Sequence, residues 1–115
     1  MNPEITMKGC SLRFYMHENQ KHNGALLHEW LLELAKHRGI RGGSVFRAIA
    51  GFGRHGVLTE QHFFELAGQL TVVVEFVVSD AQADALLVVA HAEGANLFYT
   101  RVGVDFGSIG GAAPP

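Results

Sequence analysis

The stretch "QLTVVVEFVVS", Gln69 to Ser79, limits the fold more than any other part of the chain. Val72, Val74, Phe76 and Val78 alternate with Thr71, Val73, Glu75 and Val77, so both sides of this strand are largely apolar. A sheet with one wet face shows a clean apolar-in, polar-out alternation, and this strand does not. Its sheet therefore needs two separate covers.

One cover can be read from the rest of the chain. "CSLRFYM", Cys10 to Met16, alternates with the period of a strand. After a polar turn, "GALLHEWLLELAKHRG" carries Leu27, Trp30, Leu31 and Leu34 at helical spacing, and Gly39 suits the left-handed residue that follows a last turn. "SVFRAIA", Ser44 to Ala50, reads as a second strand. After Gln69–Ser79, Ser79 and Gln82 make a capping box that opens a second helix, and Gly94 ends it. "NLFYTRVGVDF", Asn96 to Phe106, reads as a last strand interrupted at Gly103. The order β-α-β-β-α-β predicts an α+β, ferredoxin-like domain: a four-stranded antiparallel sheet with two helices on one face. The second face, with Val45, Ile49, Val73 and Val77 as candidate members, is then bare in a single copy, and large contiguous apolar patches mark interfaces. A homo-oligomer is expected.

With 115 residues, the chain is predicted to be one domain, residues 1–115, with a core over about 8–106 and a flexible tail over 107–115. A net charge of −2 and scattered basic residues give no field for nucleic acid. The single cysteine, Cys10, excludes an internal disulfide framework, and the absence of C-x-x-C excludes a cysteine zinc finger. No signal-like or membrane-spanning apolar run is visible, so a cytoplasmic protein without membrane insertion is expected.

The segment "AGFGRHGVLTE" contains G-x-G-x-x-G at Gly51, Gly53 and Gly56. A dinucleotide fingerprint needs this turn after the first strand and opening a helix, and here it follows the second strand. A kinase reading of "DFG", Asp105 to Gly107, fails on length and on the lack of a catalytic loop. Two readings of the glycines stay open: a turn whose glycines take positive φ, or a place where backbone N–H groups approach an anion, with the Arg54 guanidinium beside them.

The run "GIRGGSVFRAIAGFGRHGVLTE", Gly39 to Glu60, together with "LTVVVEFVVSD", Leu70 to Asp80, resembles the PII signalling proteins, and within that superfamily the PII-like DUF190 family. The resemblance covers about residues 8–106, and its most specific part runs from Gly43 to Gly56. It implies a trimer whose sheets face inward, an adenine-nucleotide pocket at each subunit interface, and a mobile T-loop that touches a partner. By position, it implies that Gly51, Phe52, Gly53 and Arg54 form the T-loop base beside the phosphates. His55 stands where PII proteins carry a glutamine, Val77 would lie near the adenine, and Arg101 is the arginine retained on the last strand. The chain departs from PII proteins in "AHAEGANLF", residues 90–98, which lacks their B-loop lysine, and in Val104 and Phe106, which replace their two late arginines. With those cations missing a triphosphate is poorly neutralised, so ADP or AMP is favoured over ATP. No tyrosine occurs in 56–69, so uridylylation is not expected. The function implied is a signalling regulator whose T-loop, about Arg54 to Ala67, engages a partner protein such as a membrane transporter or channel.

Seven histidines motivate an alternative, a trimeric metal-binding protein of the CutA-like kind. His28 and Glu29 begin H-E-x-x-H, but position 32 is leucine. His17, Glu18 and His22 share one polar turn without a fixed third ligand position, and His55 and His62 flank the glycine loop. No obligatory metal is expected. Arg13, Arg47 and Glu75 interrupt apolar strands and read as an ion-pair network inside an oligomer, with Glu75 as a general base the alternative. Trp30 and Cys10 read as core. No nucleophile with an adjacent base is apparent, so the chain is not expected to be an enzyme.

Overall fold

The structure is a computed structural model and describes residues 6–53, 59–60 and 70–115. Strand β1 (Met7–His17) extends the predicted Cys10–Met16 at both ends. Two short strands follow, β2 (Lys21–His22) and β3 (Ala25–Leu26), joined as a hairpin through Asn23 and Gly24. Both turn residues are left-handed, at φ 52° and 82°, the conformation that Asn-Gly accepts in a two-residue hairpin loop. Helix α1 (Leu27–His37) leaves directly from β3, and Gly39 follows it at φ 79°.

The predicted strand Ser44–Ala50 divides in two. Strand β4 (Ser44–Arg47) joins the main sheet, while β5 (Ala50–Gly51) pairs with β6 (Thr59–Glu60) in a separate ladder. Strand β7 (Thr71–Val78) comes next, then α2 (Asp80–Ala92) and β8 (Phe98–Phe106). The Ser79 hydroxyl accepts from the Gln82 N–H at 3.2 Å, and the Gln82 side chain accepts from the Ser79 N–H at 3.1 Å, so the capping box forms as predicted. Gly94, at φ 72°, follows α2. Gly103 does not interrupt β8; it pairs with Cys10 inside the ladder.

The main sheet runs β4-β7-β1-β8, antiparallel throughout, which is the ferredoxin-like arrangement. Cross-strand partners share a face, so the register assigns both covers. Cys10, Leu12, Phe14 and Met16 lie opposite Val78, Phe76, Val74 and Val72, all buried, and they form one core with Leu27, Leu31, Ala35, Ala83 and Leu86 of the helices. Phe14 and Phe76 meet edge to face with centroids 6.3 Å apart. Each fully buried leucine or phenylalanine contributes about 1.5–3 kcal/mol, and the two helices of this face supply that burial.

The other face carries Ser11, Arg13 and Tyr15 of β1, Val73, Glu75 and Val77 of β7, Ser44 and Phe46 of β4, and Phe98, Thr100 and Val102 of β8. No described element covers it, and Phe98 is 68% exposed, Val102 59% and Phe46 55%. Val45 was expected here, but it pairs with Val74 and so belongs to the helix side. At the centre, Arg13 Nε donates to Glu75 Oε2 at 2.7 Å, and Ser11 Oγ donates to the same oxygen at 3.3 Å. Of the expected network, Arg13 and Glu75 pair within one chain, and Arg47 is not part of it; its Nε lies 2.8 Å from Glu18 Oε2.

Candidate functional site

Beyond β4 the chain keeps one more contact with β7, the Ala48 N–H donating to the Thr71 carbonyl at 2.8 Å. It then leaves the sheet at the Thr71 end and enters the β5–β6 ladder, where Ala50 lies opposite Glu60 and Gly51 opposite Thr59. Gly51, Phe52 and Gly53 therefore stand together at the base of a hairpin, with Phe52 75% exposed. Arg54 and His55 lie outside the described residues, as do Gly56, His62 and most of the predicted T-loop.

The two readings of the glycines can now be separated at two positions. Neither Gly51 nor Gly53 is left-handed, and no described atom lies within 4 Å of where a Cβ would stand on either. A positive-φ turn does not account for them. Glycine at these two positions is thus required neither by φ nor by a described neighbour.

Val77 sits at the far end of the same sheet. It is five residues beyond Val72, the partner of Arg47, which is about 17 Å along the strand and away from the hairpin. With Ile40, Arg41, Val78, Gln82 and Phe106 it lines a cavity of about 830 Å³, open to solvent and walled on one side by residues 107–115. The sequence reading missed every one of these residues but Val77. Next to this cavity, a Cβ on Gly42 would meet the Pro114 carbonyl, and one on Gly43 would stand 2.5 Å from Cε1 of Phe76 in the helix-side core.

Arg101 is at the Val77 end but on the helix side, opposite Leu12. Its Nη1 donates to Asp84 Oδ1 at 2.6 Å, and its Nη2 donates to Asp80 Oδ1 at 3.0 Å and to the Asp80 carbonyl at 3.3 Å. The hydrogen bonds to Asp84 and then Asp80 hold the guanidinium pKa well above its ordinary value. This cation is thus matched by two carboxylates spaced i, i+4 on α2. Of the predicted site residues that are described, Gly51, Phe52 and Gly53 share one end of the sheet. Val77 and Arg101 share the other, on opposite faces.

The polar-turn histidines do not converge either. His22 meets Trp30 at a ring tilt of 59° with centroids 4.4 Å apart, and its Nε2 lies 3.6 Å from Glu93 Oε1, while Glu18 is taken by Arg47. Among the described residues no three of His, Cys, Asp or Glu are grouped as for a metal ion, and no helix is long and apolar enough to cross a membrane. Cys10 is buried at the foot of α2, and desolvation pushes its thiol pKa up.

The chain is similar to known proteins at two levels. It is 41% identical over 66 residues to a UPF0166 protein of Aquifex aeolicus, covering 57% of this chain and 63% of that one. It is 34% identical over 71 residues to a UPF0166 protein of Methanocaldococcus jannaschii, covering 62% and 65%. These matches span less than two thirds of either relative. In fold, it superposes on CPII, a nitrogen regulatory PII-like protein from Thiomonas intermedia K12 solved with ADP, AMP and bicarbonate. The TM-score is 0.65 at 16% identity, over 90% of this chain and 92% of that one. A family model described as "Uncharacterized ACR" matches residues 9–96, most of the sheet and both helices, and by that match the chain belongs to the DUF190 family.

Proposed function

We propose that this chain is a PII-like signalling regulator that binds an adenine nucleotide, ADP or AMP, where copies meet in a homotrimer. One observation carries the reading: the glycine hairpin base and the Val77 cavity lie at opposite ends of one sheet, so a single copy cannot bring them together. A neighbour can, and the uncovered apolar face supplies a reason for neighbours to assemble. The related fold of CPII, solved with ADP and AMP, supports the ligand class.

In this reading the adenine enters the cavity beside Val77. The hairpin base formed by Gly51, Phe52 and Gly53 of an adjacent copy, with Arg54 and His55, stands beside the phosphates. Arg101 is already matched by Asp80 and Asp84 and adds little net charge, which favours a di- or monophosphate over ATP. Phosphate contact fixes the T-loop in one conformation and a partner, such as a membrane transporter or channel, reads that shape. The chain acts as a single domain of residues 1–115, by binding and not by turnover.

Calorimetry of the purified protein with ADP, AMP and ATP, alongside a solution mass, tests this. A trimer with heat for ADP or AMP exceeding that for ATP is expected. A strictly monomeric protein, or no heat with any adenosine phosphate, overturns it. Tight Zn(II) or Cu(II) binding without nucleotide binding would favour the CutA-like alternative.

A further inference from the structure

Residues 107–115 follow a strand that is held in the sheet to its last residue, where Phe106 pairs with Met7. Beyond it the chain turns back on itself. Gly110 and Gly111 are both left-handed, at φ 67° and 77°, the Ser108 hydroxyl donates to the Ala112 carbonyl, and the Ala112 N–H donates to the Ile109 carbonyl at 3.4 Å. The returning segment forms one wall of the 830 Å³ cavity, facing Ile40, Arg41, Val77, Val78 and Gln82. Its end rests on Gly42, where the Pro114 carbonyl occupies the space a side chain would need. Gly42 is not left-handed, so its backbone conformation does not demand glycine; the contact with Pro114 does.

We propose that residues 107–115 are a lid over the Val77 cavity, latched by the seating of Pro114 on Gly42. Ligand cavities typically span on the order of 300–1,000 Å³, so a mononucleotide fits beneath the segment while it stays seated, and the segment is a cover and not a plug. The latch is slight: Ile109, the lid's largest side chain, is 89% exposed and adds little burial. Opening therefore requires loss of the Gly42 contact and little else. The movable part begins at Gly107, because Phe106 is tied to β1. The identity of the ligand beneath rests on the nucleotide reading above; the latch does not.

The test combines Gly42→Val with removal of residues 111–115, which leaves Gly42 untouched. Backbone 15N heteronuclear NOEs of the 108–113 amides report the lid, and stopped-flow displacement of ADP reports its consequence. In the unaltered protein these amides are expected to be as rigid as those of β8. In Gly42→Val they become mobile, while α1 and the sheet keep their shifts. Both variants are expected to release ADP about tenfold faster, the change that a contact worth about 1.4 kcal/mol produces. Equal mobility of the tail in the parent and Gly42→Val, or an ADP release rate that neither variant moves, overturns the lid. Should the unaltered protein bind no ADP, the nucleotide reading falls, and the relaxation measurement still decides the latch. If Gly42→Val does not fold, the shortened chain decides the effect on release.

Discussion

On β1 and β7 the even-numbered residues face α1 and α2 and the odd-numbered ones face away. Leu12, Phe14, Val74 and Phe76 are fully buried on one side, while Arg13, Tyr15, Val73 and Glu75 across the same two strands remain half-covered or exposed. The backbone ladder is common to both, so the difference lies in what each side packs against. The helix side is complete within one chain and fixes protomer stability. The other holds apolar area around an ion pair made within its own chain, so its energy is realised only when something lies on it.

Substitutions that separate those two roles test the contrast. Phe76→Ala has the largest expected effect, a loss of about 3–5 kcal/mol in chemical denaturation, because it opens a cavity against Phe14 in the helix-side core. Val73→Asp, on the adjacent residue and the opposite face, is expected to abolish the oligomer in light scattering while leaving the folded protomer's circular dichroism intact. A protomer that unfolds instead would mean that the two sides are not separable. Ser79→Ala removes the cap of the helix that covers the core and is expected to cost about 1 kcal/mol.

A smaller signature follows from Cys10. Its thiol pKa is raised by burial, so between the ordinary value of 9.0 and the higher folded one the unfolded chain loses a proton that the folded chain keeps. Stability from this residue is therefore full below pH 9 and falls as pH rises through the folded value. Denaturation midpoints across that range should decline in the parent protein and lose this component in Cys10→Ala. Glu75→Gln, on the open face, has the least effect on an isolated protomer, since Arg13 is solvated there.

The long strands were legible because side-chain alternation survives over eight or more residues, and the capping box at Ser79 and the stops at Gly39 and Gly94 are local chemistry that needs no tertiary context. The β2–β3 hairpin was not read: ladders of two residues carry no periodicity, and only the Asn23–Gly24 pair marks it. Val45 falls on the helix face because it pairs with Val74, a register that the four residues of β4 do not reveal by themselves. For the candidate site, the sequence singled out the glycine segment and Val77 by resemblance, but it could not show that they stand at opposite ends of the sheet. Nor could it show that Arg101 is held by Asp80 and Asp84, since that pairing depends on how α2 lies across β8.

Because Arg13 and Glu75 satisfy each other on neighbouring strands of one chain, the exposed sheet surface meets any companion with that charge already balanced. Ions in solution then have little to screen there. Self-association through this surface is expected to persist from dilute to concentrated salt, unlike docking that brings a cation on one molecule to an anion on the next.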